Sequence, residues 1–382
     1  MQSPERVAVV GAGAVGLTVA ADLAANGARV TLFERDTPGA GMTGRAAGIC
    51  YDAYAEDIDV SVADRAMARF RSLSGDRAFV FHETPYVFLA RTGDDASASA
   101  LREAVERMQV HGRDVSTVTA DELGERFPIQ TDDVTLAGVA ENAGWADPGA
   151  YVDLFVERCE DAGVEFRLGD AVSVRADPPG VAIDDVVTAR FDAVVVAAGV
   201  HSRRLLADAG YPIALKPYRV QALVGECEYD GPTVYDATNE SYLRPHPAGV
   251  LAGDGVEPVE ADPMDWDATA DDWFVRESLT ATSHRTKTEP TVERAWAGLC
   301  GATPDRNPLV GAVADGLYVA AGWHGHGFMW APAIGELLGD AVLGTADEPL
   351  PQQFDPRRFD GDESFAVVDG MTLDGDGESR EK

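Results

Sequence analysis

The sequence predicts an α/β protein: a Rossmann-type domain with a parallel sheet, interleaved with an α+β domain whose sheet is largely antiparallel. Three observations predict it. "VAVVGAGAVG" joins a short apolar run to a helix-like run through three spaced glycines. Similar apolar runs recur far down the chain, at residues 163–168, 191–199 and 316–322. The stretches between them carry the apolar alternation and Gly/Pro turns of antiparallel strands.

Each element follows in order. "VAVV" reads as a buried strand, "GAGAVG" as a turn, "LTVAADLAANG" as an apolar-faced helix stopped by Gly27, and "ARVTLFE" as a second strand. Residues 77–142 hold "RAFVFHETPYVFLA" (strands around a turn), two helix-like stretches and the strand "VTLAGVAE". "DPGAYVDLFVERCEDA" is helical and leads into the strand "GVEFRL"; "FDAVVVAAG" is a further strand of the same sheet. Residues 213–300 contain "YRVQALVGEC", "SYLRPHPAGVLAGDG" and "VERAWAGLC", which read as strands. "GLYVAAG" returns to the parallel sheet, and a helix beginning near Ala331 ends near Gly344. The first domain is therefore expected to take residues 1–76, 143–212 and 301–350, and the second 77–142 and 213–300. Residues 351–382 form an acidic, Gly-rich tail expected to be disordered at its end.

Composition excludes several function classes. The net charge is −34, from 65 acidic against 31 basic residues, and only Lys216, Lys287 and Lys382 are lysines. No basic stripe exists to displace counterions from phosphate, so neither nucleic acid nor an anionic membrane is an expected partner. A dispersed acidic surface suits solubility in high salt, as in halophilic organisms, where screening reduces self-repulsion. Four cysteines form no CxxC pair and fit a reducing compartment. The N-terminus lacks a signal-peptide pattern and no apolar run is long enough to span a bilayer, so a cytoplasmic location is expected.

The glycine motif carries the first chemistry. Gly11 permits a tight turn, Gly13 the close approach of a pyrophosphate, and Gly16 close helix–strand packing. Ala14 and Val15 open the helix, whose free N–H groups face the phosphates. Glu34, 23 residues beyond Gly11, ends the second strand where a carboxylate can accept from ribose hydroxyls, with Arg35 beside it. The motif serves either NAD or FAD. Parallel strands scattered from residue 6 to 322, with a second domain threaded between them, fit a large fixed flavin better.

At this point the chain resembles the D-amino-acid oxidase, glycine oxidase and sarcosine oxidase family. The resemblance runs through "VAVVGAGAVG…FERD", "TGRAAGI", "GWADPGAYVDLF", "FDAVVVAAGVHSRRL", "KPYRVQ", "SYLRPHPAGVLAGDG", "WAGLCGATPDRNPLVG" and "GLYVAAGWHGHGFMWAPAIGELL". It implies FAD bound extended, with its ring between the nucleotide domain and a sheet that roofs the substrate cavity. It also implies flavin neighbours in Thr43, Arg45, Ala46, Ala47 and Gly48, and further cofactor contacts at Val172, Ala198, Gly199 and Gly298. "GWHGHGFMWAP" would run along the flavin, with Gly322, Gly325 and Gly327 thinning the chain and His324, His326, Phe328 and Met329 lining it. No metal site is expected of the two histidines, since no Cys or carboxylate joins them.

The family's reaction, oxidation of an amine α to a carboxylate by hydride transfer from Cα to flavin N5, yields an imine that water hydrolyses. It needs a cation for the substrate carboxylate, and here the sequence departs from its relatives. Cys300, Gly325, Met329 and Gly48 stand where relatives carry arginine or lysine, and the lysine that assists oxygen falls near Leu251. Oxygen and another electron acceptor both stay open. The family's flavin-linking cysteine is not at Cys300, so FAD is expected to be non-covalent. Arg244, with Tyr242 beside it, is the alternative anchor, and His324 and His326 are either catalytic or cavity-lining. An amine or amino acid is the expected substrate; a 2-hydroxy acid, or a non-catalytic electron-transfer role in a larger complex, are the alternatives.

Overall fold

The computed structural model describes residues 4–368 except 56, 184, 185, 254 and 348. In chain order the elements are β1 (Arg6–Val10), α1 (Ala14–Ala25), β2 (Arg29–Glu34), β3 (Ile49–Tyr51), α2 (Asp57–Leu73), β4 (Phe81–Glu83), β5 (Tyr86–Arg91), α3 (Asp95–Val110), β6 (Val115–Val118), α4 (Ala120–Arg126), β7 (Val134–Ala140), β8 (Ala143–Ala146) and α5 (Pro148–Asp161). There follow β9 (Glu165–Leu168), β10 (Val172–Ala176), β11 (Pro179–Ile183), β12 (Val186–Arg190), β13 (Ala193–Val196), α6 (Ser202–Asp208), β14 (Lys216–Glu226), β15 (Thr233–Asp236), β16 (Ser241–His246) and β17 (Gly249–Gly253). The last are β18 (Glu257–Glu260), α7 (Asp272–Thr286), β19 (Thr291–Ala302), β20 (Leu309–Ala314), β21 (Leu317–Ala321) and α8 (Gly327–Leu343).

One six-stranded sheet has the order β20-β21-β13-β1-β2-β9, parallel except for β20. Its central strands β1 and β13 are apolar at nearly every position because both faces are covered. On one face α1 crosses α8 at Gly335, where a Cβ would lie 2.2 Å from Thr18 Cγ2, so glycine is what lets the two helices meet. Asp147 caps α5 by accepting from Ala150 N at 2.8 Å, with Pro148 in the first turn.

The second large sheet has nine strands, β18-β14-β17-β16-β15-β5-β7-β6 with β19 also paired to β14; only β5 and β15 run parallel. Its register fixes two faces. Tyr86, Phe88, Tyr235, Tyr242, Arg244, Ala222, Trp296 and Gly298 share one, because Phe88, Tyr235, Tyr242, Gly253, Ala222 and Trp296 pair in turn across the strands, Arg244 pairs with Leu251, and Tyr86 and Gly298 lie two residues from Phe88 and Trp296. Val87, Leu89, Leu223, Val234, Leu243, Val250 and Ala252 share the other and form a core with Leu123 and Phe274. Smaller sheets join β3-β8-β4 and β10-β11-β12.

Several elements differ from the sequence reading. β4 and β5 flank a turn but belong to different sheets, because β4 pairs with β8 and β5 with β7 and β15. Helix α8 starts at Gly327 rather than near Ala331: Trp330 N already donates to His326 O at 3.1 Å, and Pro332 sits inside the helix. Helices α2 and α7 and the β10–β12 hairpins were not anticipated. Residues 351–368 of the tail are ordered onto the protein, with Phe354 fully buried. The expected disorder beyond residue 368 lies outside the described residues.

Candidate active site

The glycine turn is built as its spacing requires at two of three positions. Gly11 has φ 109°, and a Cβ there would lie 2.5 Å from Ala197 O; at Gly16 it would lie 2.0 Å from Gly11 O. Gly13 is different: its missing Cβ would meet only Thr43 Oγ1, at 3.1 Å, so its open side is free for a ligand. Helix α1 has no side-chain cap and no acid in its first turn, which leaves its N-terminus suited to an anion. Ala14 N donates to Thr43 Oγ1 at 2.9 Å, tying this turn to the loop before β3. Glu34 is partly used within the turn, accepting from Ala12 N at 2.9 Å and Asp36 N at 3.0 Å. Val15 is buried beneath the turn.

Beside it, Arg35 Nη2 meets His201 Nε2 at 2.8 Å, and burial and the adjacent arginine hold that imidazole down to about 4. Ala198 and Gly199 follow β13 in a tight turn, Gly199 with φ 56°. Val172 is half-buried at the start of β10.

The loop carrying Arg45 turns inward beneath β19. Arg45 Nη1 donates to Ala40 O at 2.6 Å and to Gly41 O at 3.1 Å, while Trp296 Nε1 donates to Arg45 O at 3.1 Å. A Cβ on Gly298 would lie 2.4 Å from Met42 Cε, so glycine there lets the roof strand rest on this loop. Gly48 has φ 73° and its Cβ would strike Ala146 O at 2.1 Å, which locks the loop to β8. Ala46 and Ala47 lie half-buried between them.

The stretch 322–332 closes the other side. Its glycines divide: Gly322 packs against Thr303 and Gly327 against the Trp323 ring, whereas Gly325, φ 88°, faces open space. The two imidazoles diverge. His324, 2% exposed and with φ 46°, accepts from Thr303 N at 2.7 Å through Nε2. His326 Nε2 lies 3.2 Å from Tyr51 Oη. Burial keeps both uncharged, down to about 3 for His324 and about 4 for His326. Phe328 and Met329 are buried, and Tyr54 Oη donates to Met329 Sδ while accepting from Trp330 Nε1 at 2.9 Å.

Arg244 and Tyr242 project from β16 on the face shared with Tyr86, Phe88 and Tyr235. Arg244 is 2% exposed, donates to Ala47 O and Pro245 O, and stands over Trp145, 4.5 Å from the ring centroid. Among the described residues it has no carboxylate within ion-pair distance, and burial lowers it to about 10. The sequence reading missed Trp145, His82, Tyr51, Tyr54, Tyr86 and Phe88. The period-two aromatics of "YVFLAR" were the available signal for the last pair.

The FAD dependent oxidoreductase family (DAO) matches residues 6–341, from the first strand to the last turns of α8. The chain belongs to that family. It is thus an FAD-dependent oxidoreductase, with the mixed α/β fold of its relatives. The flavoenzyme is 27% identical to the glycine oxidase of Pseudomonas aeruginosa, over 91% of this chain and 96% of that one. It is 28% identical to the 4-methylaminobutanoate oxidase (formaldehyde-forming) of Paenarthrobacter nicotinovorans, covering 93% of this chain but 46% of that protein. Other longer curated relatives are spanned over 54 to 61% of their length. In structure the flavoenzyme is similar to the L-proline dehydrogenase of P. horikoshii, with a TM-score of 0.82, 26% identity and coverage of 94% and 98% of the two chains. Among the described residues, no helix of the flavoenzyme is long and apolar enough to cross a membrane.

Proposed function

We propose that the chain oxidises the C–N bond of an amino acid or N-alkyl amino acid, and that Arg244 holds the substrate carboxylate. One observation carries this: a buried guanidinium, 2% exposed, with no carboxylate in ion-pair reach among the described residues, in a chain with 65 acidic residues. Elsewhere buried arginines are matched, as Arg285 is to Asp133 at 2.9 Å. An unmatched buried charge is costly unless an anion joins it, and a bidentate carboxylate suits it.

FAD, when bound, supplies the acceptor for two electrons and a proton. Gly11, Gly13, Ala14, Val15 and Gly16 would hold its pyrophosphate and Glu34 its ribose; Gly325 and its neighbours would border the ring, all without a covalent link. Arg244 and Tyr242 position the substrate under the roof. Tyr51, Tyr86, Phe88 and Tyr235 exclude water from that face, and neutral His326 adds no repulsion to an ammonium or amine. The glycine and methylaminobutanoate oxidases among the relatives support an amine rather than a 2-hydroxy acid. We place the domain boundaries near residues 76, 142, 212, 300 and 350, with the enzyme in a cytoplasm of high salt.

The test is an anaerobic screen of the purified holoenzyme in high salt. Bleaching of oxidised flavin absorbance by D-, L- or N-methyl amino acids is the expected result. Bleaching by 2-hydroxy acids instead, or by no small donor, would replace this reading with the second substrate class or with an electron-transfer role.

A further inference from the structure

The family match ends at residue 341, yet residues 352–368 stay on the body of the protein. Phe354 packs fully buried against Trp330, ring centroids 6.0 Å apart. Arg358 then pairs with Asp305 at 2.9 Å and donates to Asn307 O at 2.7 Å, fixing the turn that follows β19. Between residues 360 and 368 the chain has neither helix nor strand. Its hold is local: Glu363 accepts from Asp360 N at 2.6 Å and Gly361 N at 2.8 Å, and Gly361 rests on Pro212. Lys216 Nζ donates to Phe365 O at 2.5 Å and lies 4.5 Å from the Phe365 ring centroid.

Where this segment lands is informative. Val367, 8% exposed, and Phe365 cluster with Tyr218, Val220, Cys300 and Ala302. Tyr218, Val220 and Cys300 lie on the same face of the β14–β19 pair as Gly298 and Trp296, and across the sheet as Tyr242 and Arg244. The end of β19 sits directly on the 322–327 stretch, since His324 N donates to Gly301 O at 3.0 Å. The His324 imidazole on that stretch is held through Nε2 by Thr303, while its Nδ1 is buried and has no hydrogen-bond partner among the described residues.

We propose that residues 359–368 form a strap that closes the end of the cofactor cleft at the 322–327 stretch, and that its grip on Lys216, Tyr218 and Cys300 sets how tightly FAD is retained. This rests on the placement of the flavin ring given above. Side chains of Phe365 and Val367 close an apolar cluster over Tyr218, Val220 and Cys300 at this end of the roof. A strap held by one lysine, one capped turn and two apolar side chains opens far more readily than the sheet beneath it.

The experiment compares the full chain, a chain ending at Asp360, and the full-length double variant Phe365→Ala/Val367→Asp, all in high salt. Amide hydrogen exchange of the apo-proteins is measured at residues 322–326, and FAD affinity by quenching of flavin fluorescence. Both altered proteins should exchange at least tenfold faster at 322–326 and bind FAD at least tenfold more weakly. Unchanged exchange and a Kd within twofold in both would overturn the strap. Should the full chain bind no FAD, the flavin placement falls, and exchange at 322–326 alone then decides whether the segment covers that stretch. The double variant keeps the test open if the shortened chain does not fold.

Discussion

Arg244 stands over Trp145, its guanidinium carbon 4.5 Å from the ring centroid, while His82 stacks on the same indole at 4.0 Å. The indole thus holds in place a buried cation that lacks a carboxylate. Burial and the nearby guanidinium keep His82 below its ordinary pKa, so it adds little positive charge to the cluster.

Replacing that cation gives the first prediction. Arg244→Ala removes a charge-assisted contact worth about 1.5–3 kcal/mol, so KM for a carboxylate substrate should rise roughly tenfold to more than a hundredfold. FAD affinity should stay within about twofold. Steady-state kinetics beside a flavin titration check both, and an unchanged KM would remove Arg244 from the substrate site.

Gly13 and Gly16, three residues apart in the same turn, should respond differently. Gly16→Ala forces a Cβ to within 2.0 Å of Gly11 O, and the apo-protein should lose about 1–3 kcal/mol of stability. Gly13→Ala meets only Thr43 Oγ1, so apo-protein stability should change by less than about 1 kcal/mol while FAD affinity falls. Denaturant unfolding of the apo-proteins separates the two effects; equal destabilisation would mean that the open side of Gly13 is not a ligand seat.

Stability should fall on mild acidification. His326 is held to about 4 by burial, below the ordinary value near 6.5, so the unfolded chain binds its proton more readily than the folded one. Its contribution is complete above about pH 6.5 and is lost as pH falls towards 4, on the order of 3 kcal/mol. His326→Asn should flatten that part of the profile, read by denaturant unfolding at pH 7 and pH 4.5. An identical slope in the variant would show that other groups govern it.

The charge of −34 predicts a salt requirement. Removing screening ions strengthens repulsion among 65 acids, so the melting temperature should drop on dialysis from molar to millimolar salt. A melting curve that does not move with salt would contradict the halophilic reading.

Much of the fold was legible because its signals are local. The first βαβ unit announces itself by glycine spacing, and α5 by Asp147 and Pro148 at its start. Arg244 and Tyr242 stood out as neighbours in "SYLRPHP", and pairing with β15 and β17 puts both on one face of β16. What the sequence could not reveal was pairing between distant segments. Nothing in "RAFVFHETPYVFLA" tells that its two strands leave for different sheets, and α7 is polar enough along its length to pass for a loop, being held by Arg285 to Asp133 and Asp236. Tyr51 and Trp145 approach the site through β3 and β8, whose three- and four-residue lengths leave too little alternation to read.

Strand β13 lies between β1 and β21, whose partners Leu317–Val319 are made more than a hundred residues later. Until those residues emerge from the ribosome, β13 presents a row of unpaired amides to whatever strand is at hand. Synthesis of this protein therefore passes through a long interval of exposed sheet edge, during which chaperone binding or misassociation competes with completion of the fold.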